Sequence, residues 1–429
     1  MSRSGWTRIL TAALLALAVY GGSGASRASA NAGDVVGFGS ESIARGGAMA
    51  AVADGAEALH YNPAGLIAAE RAELSVGYMR FLSTLSWTGV AGGVPETHSA
   101  DISSPDSITI GLVVPLGRVA LGAYISTLPT KLLGLRVQTT ADPTFGYYAN
   151  RTQRIVVLLG GAVDLGHGLS FGGGVSIFGG VDGLVLASEG PTRDVEPGIF
   201  IGADTALSGQ LGLRYELNEH VRLGLTYRHR FRVPVKIQAD STVGNVPLNI
   251  TFRLDGVQTP YELVAGGAVD VGIAQLSMDA TWQRWRNLRA PWVSVDTIVT
   301  GLPIENPPIP RAYRDAFDLR LGAQIQQNLS EQWTLFYRAG GRFETSMGAS
   351  QPGLTSMMDG NKLGIAAGLG VRFGNFYGLP VTADLHFSMD HMFSRTYVKD
   401  ADSGSRFEQV SGGGQVMSLG FTLTVGLTQ

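Results

Sequence analysis

The sequence predicts an all-β chain: a fourteen-stranded antiparallel transmembrane β-barrel with a small N-terminal helical hatch, a plug inside the lumen. Three observations predict it. Unbroken period-two alternation recurs in fourteen stretches, every second connection between them is long, and the stretch before the first of them is rich in alanine and glycine and lacks the alternation. Composition agrees, because 59 glycines with only 16% charged residues disfavour a helical protein. Average glycine usage is about 7%, and each interior glycine costs a helix about 1 kcal/mol relative to alanine.

In chain order, residues 1–30 come first. Arg3 and Arg8 flank the start, an apolar run covers 9–20, and small residues lead to Ala28-Ser29-Ala30, the pattern of a cleaved signal peptide. That run falls short of the roughly 20 apolar residues a spanning helix needs. The mature chain then starts at Asn31, and no later segment approaches eighteen consecutive apolar residues. An exported chain of this kind is either soluble outside the cytoplasm or a closed barrel, the other backbone arrangement that hydrocarbon tolerates. Zero cysteines exclude disulfides, thiol chemistry and thiolate metal sites, and a net charge of −3 without long basic runs gives no electrostatic case for nucleic acid.

Residues 31–71 form the hatch. Within "GFGSESIARGGAMAAVADGAEALHYNPAGL" (37–66), Asn62 can N-cap a helix and Pro63 can take its first position. So short a segment needs a surface to pack on, and a barrel of about fourteen strands leaves an interior wider than side chains fill. A plug follows; a tail ordered only at the rim is the bland alternative.

Residues 72–429 form the barrel. The C-terminal stretch "SLGFTLTVGL" (418–427) sets Leu419, Phe421, Leu423, Val425 and Leu427 on one face and small or polar residues on the other. The same pattern runs through 72–81, 108–114, 118–125, 154–163, 169–178, 207–217, 220–233, 261–271, 275–282, 316–326, 333–343, 363–373 and 381–390. These lengths lie near the roughly 9 to 11 residues a tilted strand needs to cross a bilayer. The gaps run long, short, long, short to the end, the habit of outer-membrane barrels with external loops and periplasmic turns, and this puts both termini in the periplasm.

Charge placement separates lumen from lipid. Arg222, Arg228, Arg230 and Arg232 share one face of the seventh stretch, opposite Val221, Leu223, Leu225, Tyr227 and Phe231. Each arginine facing lipid near the midplane would cost about 2 to 4 kcal/mol, a sum comparable with a domain's whole stability, so they face inward or stand above the membrane. Asp270, Asp279, Asp318, Arg320, Arg338, Arg342, Arg372, Asp384 and His386 turn inward by the same phase, which predicts a polar lumen cross-linked by ion pairs. Tyr215, Tyr227, Trp282, Trp333 and Tyr337 fall near strand ends on the apolar face, where aromatic girdles belong.

No catalytic constellation emerges. The glycine runs lie inside strands with no following helix, and the seven histidines lack metal-binding spacing, so neither a cofactor nor a metal is expected. His386, Ser388 and Asp390 share a strand face, but side chains two apart on a strand stand roughly 7 Å apart, too far for a relay. The chain reads as no enzyme.

Arg45-Gly46-Gly47-Ala48, Ala53-Asp54, Ala58 and Asn62-Pro63-Ala64-Gly65-Leu66, placed between signal peptide and first strand, resemble the signature of the long-chain fatty acid transporter family (FadL/TodX type). Thr259-Pro260 and Asp279-x-x-Trp282 extend the resemblance along the chain. It implies a monomeric fourteen-stranded barrel with a hatch, inserted by the barrel assembly machinery among outer-membrane lipid and lipopolysaccharide. It also implies loops that catch a fatty acid or another hydrophobic molecule, and an interior pocket near the hatch and Asn31. Release is sideways, at an inward kink of the third strand beside the Asn-Pro-Ala turn, where Gly122 is the residue most able to bend. Barrels of this type usually end in an aromatic residue, whereas Phe421 is the last aromatic here.

The loops support an apolar cargo independently. Leu128, Leu132, Leu133, Leu135, Phe145, Tyr147 and Tyr148 crowd one, and Ile304, Pro307, Pro308, Ile309 and Pro310 another. Loops packing on one another to cap the barrel would read the same way. For a carboxylate cargo, Arg228, Arg230, Arg232 and Arg338 are the candidates to meet its head.

Overall fold

Strands with one apolar and one polar face find partners for all their edge N–H and C=O groups only when the sheet closes on itself. The computed structural model describes residues 36–100, 106–127, 143–145, 148, 155–189, 195–243, 246–288, 293–298, 313–353 and 355–427; of 178–189, 195–206, 232–243, 246–258 and 293–298 it describes the backbone alone. The wall consists of β1 Glu73–Ser83, β2 Asp106–Leu116, β3 Val119–Thr127, β4 Val156–Gly166, β5 Leu169–Glu189, β6 Val195–Glu216 and β7 Val221–Arg228. It continues with β8 Tyr261–Val271, β9 Ala274–Arg284, β10 Ala316–Asn328, β11 Trp333–Glu344, β12 Lys362–Phe376, β13 Leu379–Val398 and β14 Gln409–Gly426. Each pairs antiparallel with the next, and β1 closes the ring on β14 from Glu73 opposite Gly426 to Ser83 opposite Val416.

One end of the barrel is held by tight turns. In two of them His167-Gly168 and Tyr377-Gly378 have positive φ at both residues, as a two-residue hairpin turn with right-handed twist requires. The other end departs from the sequence reading. The described residues of the connections over 179–206 and 234–259 are strand: β5 and β6 pair as far as Glu189 opposite Val195, and Phe231–Val243 pairs with Val246–Thr259. These extensions rise past the apolar band; those of β5 and β6 show no regular alternation, whereas 231–239 and 246–254 do alternate, with Val246, Leu248, Ile250, Phe252 and Leu254 set against Pro247, Asn249, Thr251, Arg253 and Asp255, in a stretch the sequence reading left as a long loop.

On the outer face Leu211, Leu225, Leu263, Leu319, Ile365 and Leu419 are exposed, as lipid-facing residues must be. Trp333 and Phe343, both outward on β11, mark the margins of this band. Ten residues at ~3.4 Å with a tilt near 40° give about 26 Å, matching the ~25 Å apolar height of such barrels. No described helix is long and apolar enough to cross a membrane.

Inside lie α1 Ser40–Ala44, α2 Ala58–Tyr61 and the 3-10 turn Pro63–Ala68; Leu59 and Leu66 of these elements, with Phe38 and Met49 from the chain around α1, pack on Val113, Tyr124 and Leu158 of the wall.

Candidate functional site in the lumen

The N-terminal segment and the wall are shaped to each other. Asn62 is extended, its Oδ1 accepts from Ala64 N at 3.1 Å to cap the 3-10 turn, and its Nδ2 donates to Ala50 O at 2.6 Å and Leu213 O at 2.9 Å. The turn comes so close to β5 and β6 that a Cβ on Gly172 would strike the Pro63-Ala64 backbone and one on Gly212 the Asn62 side chain. Gly122 faces Leu66, whose Cδ2 would lie 2.8 Å from an added Cβ. Glycine's abundance thus has a local cause: side chains are removed where backbone must approach backbone.

α2 is capped by the wall. Its last carbonyls have no intrahelical partner. Gln210 donates to Leu59 O, Arg228 to His60 O, and Thr226 Oγ1 to Tyr61 O at 3.0 Å. α1 is held by charge as well as by its Arg45-Gly46 end lying on Gly340. Arg338 pairs with Glu41 of α1 at 2.8 Å and with Asp384 at 2.5 Å, and buried Arg45 pairs with Glu41 at 3.3 Å and donates to Gln275 at 2.7 Å. Asp279 then accepts from Met49 N at 2.8 Å and Ala50 N at 2.9 Å, removing two buried orphan donors.

The charged lumen expected from the alternation is present as pairs: Arg222 with Asp270, Arg228 with Glu262, Arg320 with Asp318, Arg342 with Asp390. Two share one construction. Arg338 reaches Asp384, and Arg342 reaches Asp390, across the intervening strand β12 over Gly370 and Gly364, where a Cβ would collide with both partners.

A cavity of about 90 Å³ lies between the segment and the wall. Val36, Val156, Leu158, Phe231 and Pro260 form its apolar side, and Arg228, Arg320 and Arg342 reach it from the charged side. At the end with the long connections a separate apolar cluster fills the barrel mouth, with Met79, Met347, Met357, Met358 and Met392 among Phe81, Phe145, Tyr148, Trp285 and Tyr397. Phe145 and Met358 both press on Gly412, and the Tyr313 hydroxyl lies 3.5 Å from Met357 Sδ.

The residues singled out in the sequence fall in different places. Asn62, Pro63, Ala64, Gly65 and Gly122 come together at the turn described above. Phe145 and Tyr148 are buried in the mouth cluster, the loops packing on one another. Arg338 is buried and engaged by two carboxylates, and Arg228 by Glu262 and the α2 carbonyl, so both anchor the segment in this conformation. Arg230 requires a correction. β7 breaks after Arg228 and strand resumes at Phe231, which is buried, so the alternation changes phase; Arg230 is exposed and lies over the outward Tyr261 ring. Around Gly122, β3 pairs with β2 over 119–127 and with β4 over 119–126, and neither ladder has a register shift, so the strand carries no bulge there. Asn31, Leu132, Leu133, Leu135 and the side chain of Arg232 lie outside the described residues, as does the signal peptide at 1–30. His386, Ser388 and Asp390 turn to three separate partners, Ser40 Oγ, Ser418 Oγ and Arg342.

No protein-family sequence model and no curated protein sequence matches this chain. Solved structures do. The P. putida toluene transporter TodX superposes with a TM-score of 0.57 at 16% identity, over 92% of this chain and 100% of that one. The CymD monoaromatic hydrocarbon channel gives 0.57 at 19% identity, over 92% and 99%. A Pseudomonas aeruginosa FadL homologue gives 0.57 at 16%, over 90% and 97%.

The chain has the fold of these channels. Within this TodX-like barrel, sequence reasoning placed Asp279 on the inner face but missed what it does, since two backbone N–H groups leave no mark in a pattern. Gln210 and Thr226 were missed as caps for the same reason. Gly172 and Gly212 had a visible signal, because both interrupt inward-facing rows with no side chain. The five buried methionines were legible as residues but not as a cluster, since they come from four separate parts of the chain.

Proposed function

We propose that the protein is an outer-membrane channel for small hydrophobic molecules, long-chain fatty acids first and aromatic hydrocarbons second, entering by passive diffusion. The observation that carries this reading is the methionine-rich apolar cluster in the mouth of a barrel whose lumen is otherwise charged. Methionine is unbranched and polarisable, so such a cluster repacks around cargo of varied shape. The likeness to TodX, CymD and the FadL homologue points the same way.

The cavity favours a cargo with an anionic head. Guanidinium groups carry five N–H donors in a fork that suits carboxylate, and an engaged fork retains donors that a fatty acid can meet and toluene cannot. The long connections then face outward, both termini lie in the periplasm, and residues 31–71 act as a hatch whose rearrangement opens the path. Exit is sideways near the third strand. Next to it, Gly160 pairs with Gly174 and Gly161 with Gly173, leaving the wall between β4 and β5 without side chains on either face.

Uptake of labelled oleate and toluene by cells with and without the gene tests this. Gene-dependent oleate uptake is expected; toluene dependence alone selects the aromatic cargo. Equal uptake of both with and without the gene sinks the channel reading and leaves a surface receptor barrel. Replacing Asn62-Pro63-Ala64 with a glycine linker is expected to change oleate uptake, and unchanged uptake through a folded barrel removes the turn from the gate.

A further inference from the structure

The outer face carries a feature the lumen does not use. At the long-connection end of β7 to β9, two arginines flank one tyrosine. The Arg230 guanidinium carbon stands 5.3 Å from the Tyr261 ring centre, and Arg284 is the cross-strand partner of Tyr261. His229 meets the same ring edge-on at 4.9 Å, and its Nδ1 lies 3.2 Å from the Tyr227 hydroxyl. His229, Arg230 and Arg284 are exposed.

Neither arginine has an acidic partner among the described residues, and the neighbouring carboxylates are engaged elsewhere. Glu262 turns inward to Arg228 at 2.6 Å. Asp315 pairs with Arg286 at 2.5 Å and accepts from Trp282 Nε1 at 3.2 Å. Arg80, exposed on β1, is by contrast compensated by Asp106 at 3.4 Å.

Depth decides what meets the uncompensated pair. Trp282 and Arg284 project outward one strand repeat apart, with Leu263 and Phe317 exposed beside Trp282. A two-residue step rises about 5 Å along the axis of a tilted barrel, so the guanidinium groups stand just above the aromatic margin of the apolar band. A lipid whose acyl chains lie on that band presents its headgroup there.

We propose that Arg230 and Arg284, with His229 beside them, form a binding site for the phosphate of an anionic lipid in the leaflet at the long-connection end. A guanidinium fork matches phosphate bidentately, and stacking on Tyr261 holds Arg230 in place before the lipid arrives. Two uncompensated charges prefer an anionic headgroup to a zwitterionic one. In the outer-leaflet orientation proposed above, the lipid met is the phosphorylated glycolipid.

The test uses the full chain in mild detergent, where neither orientation nor cargo uptake enters. It is titrated with bisphosphorylated lipid A, and bound lipid is counted by native mass spectrometry. The Arg230→Gln/Arg284→Gln variant is expected to lose affinity about twenty-five-fold, at about fivefold per arginine, and Arg80→Gln to bind as the parent does. Dephosphorylated lipid A is expected to bind the parent no better than lipid A binds the double variant. Unchanged affinity in a double variant that keeps heat-modifiable mobility overturns the proposal. So does equal binding of dephosphorylated lipid, and so does inorganic phosphate binding as tightly as lipid A, which reads as a free-anion site. Should the double variant not fold, the single variants carry the test at about fivefold each.

Discussion

The two helices of the N-terminal segment are held in the same lumen by different balances of charge and backbone contact. α1 is tied to the wall by charge, through Glu41 to Arg338 and, beyond its end, through Asp279 to the Met49 and Ala50 amides, in addition to the Arg45-Gly46 backbone lying on Gly340. α2 and the turn after it are fixed by backbone, with carbonyls capped by Gln210, Arg228 and Thr226 and with Pro63-Ala64 lying on Gly172. Ion pairs keep their hold over small displacements, whereas a backbone-to-glycine fit is lost as soon as the surfaces separate. On this contrast the α1 side is expected to depend on its ion pairs and the α2 side on its backbone fit to the wall.

Removing the charge anchor should have the largest effect. Arg338→Met leaves the Glu41 and Asp384 carboxylates without their shared partner, and breaking a buried pair from one side costs about 3 to 5 kcal/mol. Hydrogen exchange followed by mass spectrometry is expected to show lost protection over 40–50 while 58–66 stays protected. Equal loss over both stretches would mean that the segment moves as one body, and the distinction between its halves would fall.

The converse variant acts on the other half. Gly172→Val drives a branched side chain into the Pro63-Ala64 backbone, and overpacking costs about 1 to 3 kcal/mol, here toward the upper end because backbone cannot swing away. Protection should fall over 58–66 and persist over 40–50. Protection unchanged in both stretches would show that the wall itself yields.

What the chain disclosed of this arrangement follows from which interactions are local. Period-two alternation is written residue by residue, so β1 to β14 and their inner faces were legible, and the cost of lipid-facing charge gave the polarity of the lumen. Pairing is not local. Arg338 finds Asp384 across an intervening strand over Gly370, and only the register of three strands shows it. Arg230 was misassigned because a two-residue break after Arg228 reverses the alternation, and nothing in "RHRFRV" marks the break. The extensions of β5 and β6 were read as loops because strand above a membrane has no lipid face to display.

The smallest effect is expected at the link between the halves. Ser42 of α1 donates to the Glu57 carboxylate at the start of α2 at 3.0 Å, and Glu57 has no cationic partner among the described residues. Burial, with the negative charge of Glu41 behind it, pushes the Glu57 carboxyl well above the usual range. The docked segment therefore favours the protonated acid. Docking is strongest below the ordinary glutamate value of about 4.3 and weakens as pH rises through the raised value, with a limiting slope of about 1.4 kcal/mol per pH unit for one proton. Glu57→Gln keeps an oxygen to accept from Ser42 and has no charge to bury, so protection over 58–66 should match the parent in acid, exceed it in alkali, and lose this pH dependence. A parent whose protection over 58–66, corrected for intrinsic exchange, stays flat with pH would show that Glu57 ionises without cost. Its hydrogen bond to Ser42 would then fix geometry without coupling the helices to pH.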